Sequence, residues 1–231
     1  PFFIDETDTS SVDRIFFGGI NVYLQQKVPL FRRTPRWIDS LFDFPALLKF
    51  SARQAGMTKA AELGEMSLSM LEGENGHQKK ELERLLQWLR SQAPFDVVCL
   101  SNCMLLGLAG PIRRDTNAPV LCTLQGEDGF LDALPNPYRE LVWEKLRQRA
   151  ADVDCFVPVS HYYAGVMKRR MNIPEGKVFV IQNGISLQGY DPYPNPNPGR
   201  AIGYLARLCE DKGLRQLVSA FIHLKKRPRY G

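Results

Sequence analysis

The 231-residue sequence has no apolar run that reaches the ~18 residues needed to cross a bilayer. It also lacks a secretory start, because Asp5, Glu6 and Asp8 stand where a signal peptide has a basic stretch and then an apolar one. The expected location is therefore cytoplasmic. Cysteine is sparse and odd in number: Cys99, Cys103, Cys122, Cys155 and Cys209, none in CxxC spacing and several inside apolar stretches where a thiol packs as a small hydrophobe. This pattern argues against both a disulfide framework and a thiolate zinc site. Histidine is scarcer still, and His77, His161 and His223 fall on unrelated segments, so no histidine metal cluster is expected. Helix-turn-helix signatures, zinc-finger spacing and aromatic RNA-binding motifs are absent, and nucleic acid is not an expected partner. There is no internal repeat or low-complexity tract.

What remains has the composition of a soluble globular protein, 44% hydrophobic and 24% charged. Thirty Lys and Arg against 25 Asp and Glu give a net charge of +5. This favours anionic partners such as anionic lipid or a sugar nucleotide, and it is equally compatible with a surface that merely leans basic.

From about Phe95 onward, short apolar runs alternate with helical patterns. The runs at 97–100, 120–124, 155–159 and 178–181 are continuously hydrophobic, as strands buried on both faces of a parallel sheet are. Helices are expected between them at 103–114, 138–151 and 161–171. Upstream, Leu82, Leu85, Leu86 and Leu89 fall at i, i+3, i+4 and i+7, an amphipathic helix that Pro94 stops. Residues 29–73 read as helical pieces broken by Pro29, Pro35 and Pro45. The alternation predicts an α/β fold with a Rossmann-like, doubly wound parallel sheet.

Residues 189–200 are rich in proline and asparagine and read as an interdomain linker. One further strand at 201–205 and a helix marked by Leu214, Leu217, Val218 and Phe221 follow it. A single βα unit is too small for a domain of the usual ~50 residues or more. The expected organisation is a first domain at 1–188 and the truncated start of a second at 201–231. The opening Pro1-Phe2-Phe3 reads as trimmed in the same way.

Ligands of open α/β sheets bind outside the carboxyl ends of the strands. Each predicted strand here ends in polar groups: Ser101 and Asn102, then Gln125, Gly126 and Glu127, then Ser160, then Asn183 before Gly184. These are the candidate cleft rim, although Ser160 also suits a helix cap and Asn183-Gly184 a turn. Gly18 and Gly19 open a helical pattern, Ile20, Tyr23, Leu24 and Lys27, and would let a phosphate approach backbone amides at a helix terminus. The same pair also suits an ordinary turn. Arg207 and Lys212 flank the start of the last helix, and two such cations hold a diphosphate well or stand solvated on a loop.

Four stretches together resemble glycosyltransferase family 4: Gly18 to Leu24, Val159 to Tyr163, Val180 to Ile185, and Ile202 to Gly213. Order and spacing both fit, and the last stretch, containing Gly203, Leu205, Lys212 and Gly213, is the most specific. The resemblance implies a retaining glycosyltransferase of the two-Rossmann GT-B type, taking a nucleotide-sugar donor and a glycan, lipid-linked or small-molecule acceptor. Arg207 and Lys212 would then neutralise the leaving diphosphate, with Gly18 and Gly19 contacting it from the first domain. Fixed cations and a helix terminus would stabilise that charge with no metal and no other cofactor.

Two departures from the family stand out. Members often carry a His after the strand that here ends at Thr123-Leu124; this chain has Gln125, a hydrogen-bonding side chain that is no general base. The family's paired glutamates would lie beyond Gly231, so the fragment alone is expected to be inactive. Residues 30–53 interleave Phe31, Trp37, Phe42 and Phe44 with Arg32, Arg33, Arg36 and Lys49. They suit either peripheral docking at the inner face of a membrane or an irregular cap over the core. A non-catalytic nucleotide or glycan-binding module, or an epimerase or phosphorylase of the same fold, shares the phosphate logic.

Overall fold

The computed structural model describes residues 60–92, 94–189 and 202–226. Gly18, Gly19 and the aromatic-basic stretch 30–53 lie outside the described residues. The chain divides into two compact units, Pro1–Gly184 and Ile185–Gly231.

In the first unit, three parallel strands lie in the order β1-β2-β3: β1 (Val98–Leu100), β2 (Val120–Leu124) and β3 (Cys155–Pro158). Val98 pairs with Val120, and Leu121 with Cys155. Parallel neighbours need long crossovers. Helix-bearing segments supply them, including α3 (Ala109–Thr116) between β1 and β2, then α4 (Asp128–Asp132) and α5 (Tyr138–Arg149) between β2 and β3. The helix α6 (His161–Met171) follows β3, and α1 (Ala60–Glu72) and α2 (Lys79–Gln92) precede β1.

The leucine periodicity of α2 does what its spacing predicts, burying Leu82, Leu86 and Leu89 in one core with Leu106, Ile112, Leu146, Phe156 and Met167. Val120, Cys122 and Leu124 are buried on one face of β2, while Leu121 and Thr123 on the other are half-buried. Two-sided burial is therefore only partial there, although adjacent Phe156 and Val157 of β3 are both buried. Arg149 of α5 donates to the carbonyls of Leu71 (2.9 Å) and Glu72 (2.8 Å), capping the C-terminal end of α1 with a cation.

Three expectations are corrected. The helix at 103–114 is a 3₁₀ segment, Cys103–Leu108, followed by α3. Pro111 has no N–H to donate to the Gly107 carbonyl, so a continuous α-helix cannot pass through it, and α3 begins with Pro111 in its first turn. The strand at 178–181 is a single parallel bridge, Phe156 to Val178, with Phe179 N donating to Phe156 O (2.9 Å) and Ile181 N to Pro158 O (3.2 Å). The next bridge would need an N–H from Pro158, which has none.

The third correction concerns the second unit. Residues 202–205 form no strand and pair with no other strand among the described residues, and Leu205 is fully exposed. A strand needs a neighbour to close a ladder, and no described residue supplies one to this segment. A 3₁₀ turn, Glu210–Lys212, leads through Gly213 (φ 70°) into α7 (Leu214–Lys225), whose Val218 and Phe221 stay exposed.

The 3₁₀ segment crosses α1 at Gly107, where an added Cβ would lie 2.1 Å from the Met70 carbonyl oxygen. Gly107→Ala is expected to lower stability by about 1–3 kcal/mol, as overpacking against rigid backbone does. A urea midpoint equal to that of the wild type would refute the close approach.

Asp132, Trp143 and Arg170 tie α4, α5 and α6 together. Arg170 forms a two-pronged ion pair with Asp132 and stacks 4.8 Å from the Trp143 ring centroid, while Trp143 Nε1 donates to Asp132 (3.0 Å). The hydrogen bond from Arg170, followed by that from Trp143, holds the Asp132 carboxyl below its ordinary value of 3.8. The stabilisation is thus complete above that value and disappears as pH falls through the lowered one. The pair is 40% exposed, so screening limits its worth to about 1 kcal/mol or less. Asp132→Asn is expected to cost that much at pH 7, and the gap to wild type should narrow in melts below pH 3.8.

Candidate functional site

Beyond the carboxyl ends of β1 and β2 lies a groove of about 570 Å³, within the range of small-ligand pockets. Ser101, Asn102, Gln125, Gly126 and Glu127 form its polar side, and Met70, Met104, Leu105 and Phe130 its apolar side. The rim residues expected from the first two strand ends are thus brought together. No Lys or Arg is among the described residues that line it.

The polar side is fixed by backbone chemistry. Thr123 Oγ1 donates to Ser101 O (2.7 Å), and Gln125 Nε2 donates to Ser101 O (3.3 Å) and Thr123 Oγ1 (3.2 Å). A carbonyl only accepts, so the nitrogen of the Gln125 amide must face Ser101. Its oxygen is left without a partner among the described residues and is available to a ligand's donor. Asn102 Oδ1 accepts from Met104 N (3.0 Å) and so caps the 3₁₀ segment.

Glu127 is the centre of the arrangement. Its Oε1 accepts from Cys103 N (3.2 Å), and its Oε2 accepts from Gln125 N (2.8 Å), Gly126 N (2.9 Å) and Tyr163 Oη (2.9 Å). Tyr163 Oη in turn accepts from Glu127 N (2.7 Å). The two successive amides aimed at one oxygen form an anion-binding nest. Gly126 occupies it at φ 115°, a conformation other residues adopt only with strain, and open space lies over its Cα. Burial, reinforced by the neighbouring Glu127 charge, pushes the Tyr163 phenol well above its ordinary range, so it remains a donor at physiological pH.

Ser160 lies at the third strand end and caps α6, accepting from Tyr163 N (3.1 Å). Its side chain therefore aims Tyr163 instead of lining the groove. Asn183 is exposed at the end of the 178–181 stretch, outside the groove. Gly203, Arg207 and Lys212 belong to the second unit, with both cations exposed and Tyr204 Oη donating to Lys212 O (3.2 Å).

Sequence reasoning missed Tyr163 and the apolar wall. Tyr163 sits at a helical core position, and nothing in its spacing separates it from a packing aromatic. Phe130 and Met104 carry no signal until the strand ends are brought side by side.

A parallel sheet with crossover helices and a ligand-sized groove at its carboxyl rim defines a Rossmann-like α/β protein. The family model described as Glycosyltransferase Family 4 matches residues 67–188, more than half of the chain and all of the groove. The chain belongs to that family. No curated protein and no solved structure gives a match. Among the described residues no helix is long and apolar enough to cross a membrane.

Tyr163→Phe removes both a donor to Glu127 and an acceptor for its N–H. A loss of about 1–3 kcal/mol is expected from the part-buried groups left unpaired. Chemical denaturation of the variant would show it, and an unchanged midpoint would mean that the tyrosine hydroxyl does not hold this loop.

Proposed function

We propose that the protein transfers a sugar from a nucleotide-sugar donor to a hydroxyl acceptor, a glycan or a lipid-linked or small molecule, with retention at the anomeric carbon. The observation that carries this reading is the groove at the ends of β1 and β2, in the stretch matched by the family. An anchored amide presents one acceptor oxygen in a groove also lined by Met70, Met104, Leu105 and Phe130, which suits a sugar ring with donor hydroxyls and one apolar face. Gln125 then orients a sugar hydroxyl, and because an amide does not take a proton at neutral pH, it is a positioning group and not a base.

The leaving diphosphate is assigned to Arg207 and Lys212. A planar fork and a point charge stabilise negative charge as it develops, so no metal or other cofactor is called for. Gly18 and Gly19 are further candidates for the diphosphate. The stretch 30–53 is a candidate for peripheral contact with the inner face of a membrane, and the cytoplasm is the compartment this chemistry suits.

Lys212→Ala and Arg207→Ala in the full-length protein are each expected to cost on the order of 2 kcal/mol of transition-state stabilisation, about 30-fold in kcat/KM, with little change in melting temperature. Release of nucleoside diphosphate from a panel of UDP-, GDP- and ADP-sugars measures it, and proton NMR of the product reads the anomeric outcome. Wild-type turnover with undiminished rates in both variants would remove the cations from the site.

A further inference from the structure

The amides of Cys103, Gln125 and Gly126 converge on one point, the carboxylate of the groove-lining Glu127, and a protein that binds a ligand phosphate or carboxylate commonly uses such groups to hold it. In this chain they are already taken by an internal anion. Both carboxylate oxygens of Glu127 are engaged, Oε1 by one amide and Oε2 by two amides and the Tyr163 hydroxyl. Tyr163 closes a ring by accepting the Glu127 N–H, and Ser160 fixes the start of the helix that carries Tyr163. Among the described residues Glu127 forms no ion pair with Lys or Arg, and its partners there are amide and hydroxyl dipoles. No cation among the described residues lines the groove. The Gln125 amide adds an unpartnered acceptor oxygen, since its nitrogen is committed to Ser101 and Thr123.

We propose that Glu127 determines the specificity of this groove: its carboxylate fills the amide nest that a ligand's phosphate or carboxylate would take, and so restricts the groove to neutral, hydroxyl-bearing ligands. Tyr163 is the positioning residue that keeps the carboxylate in the nest. The proposal deepens the sugar-handling reading of the same groove and rests on it for the identity of the ligand. The exclusion of anions is a physical property that can be read without turnover. An acceptor or transferred sugar bearing an acidic group at the position over Gly126 would meet like charge and find the Gln125 and Gly126 amides already taken. A pyranose hydroxyl there would find acceptors.

The test follows the Gln125 and Gly126 amide signals of the full-length protein by NMR during titration with inorganic phosphate, against chloride at equal ionic strength. The wild type is expected to show no saturable shift at these amides. Glu127→Ala empties the nest and should bind phosphate there at least about tenfold more tightly than wild type. Glu127→Gln keeps the side chain's volume but removes its charge, and it is expected to fall between them. If the alanine variant does not fold, the glutamine variant decides. Wild-type binding at these amides as tight as in the folded variants overturns the proposal, as does a folded alanine variant with no phosphate response. Failure of the wild type to release nucleoside diphosphate from any donor would count against glycosyl transfer alone and leave the phosphate result to stand or fall by itself.

Discussion

Where a parallel strand ends, its last amides lose the neighbour that paired them, and in a partly buried turn each needs another acceptor or costs a few kcal/mol. At the end of β2 this constraint falls on Gln125 and Gly126, and at the end of β1 on Cys103. One side chain, Glu127, meets all of it. The local structure follows from that choice. The bend that brings the Glu127 carboxylate back onto the two amides before it passes through Gly126 at φ 115°, a conformation that glycine adopts without strain. A carboxylate accepting several bonds needs to be held in orientation, hence the Tyr163 hydroxyl. A tyrosine that reaches from α6 needs its helix started at a fixed place, hence the Ser160 cap. The groove is thus the visible side of a solution to a backbone problem.

The fold was legible where a residue acts through its neighbours in sequence. Leu82, Leu85, Leu86 and Leu89 declare a helix by spacing, Pro94 stops it, and the continuous apolar runs declare β1, β2 and β3. It was less legible where a single missing N–H decides. Pro111 splits the 103–114 helix and Pro158 cuts short the bridge to 178–181. Both follow from elementary chemistry, yet only once the partner carbonyl is known. The unpaired 202–205 segment shows the converse, since strand-like sequence makes no strand without a neighbour.

The same division holds for the site. The strand-end rule grouped Ser101, Asn102, Gln125, Gly126 and Glu127, and they do line one groove, because a parallel sheet aligns those ends whatever its sequence. It did not separate their roles. Asn102 and Ser160 turn out to be caps, Glu127 a hub for backbone amides, and Gln125 the group with a free hydrogen-bonding atom. Assigning those roles takes a partner for every donor and acceptor, and the partners come from segments up to 36 residues away, as Tyr163 does for Glu127.

The chain has five more cations than anions, yet none of the described groove-lining residues is Lys or Arg, and the carboxylate that lies there already occupies the local amides. A diphosphate needs compensating charge when it leaves, and none of the described residues lining this groove is a cation. On the proposed glycosyl-transfer reading the work is divided: neutral hydroxyl recognition at the ends of β1 and β2, and anion recognition on other residues, of which the exposed pair Arg207 and Lys212 is the candidate with suitable chemistry. Such a division would keep phosphate from competing for the sugar position, because the amides of Cys103, Gln125 and Gly126 are filled from within.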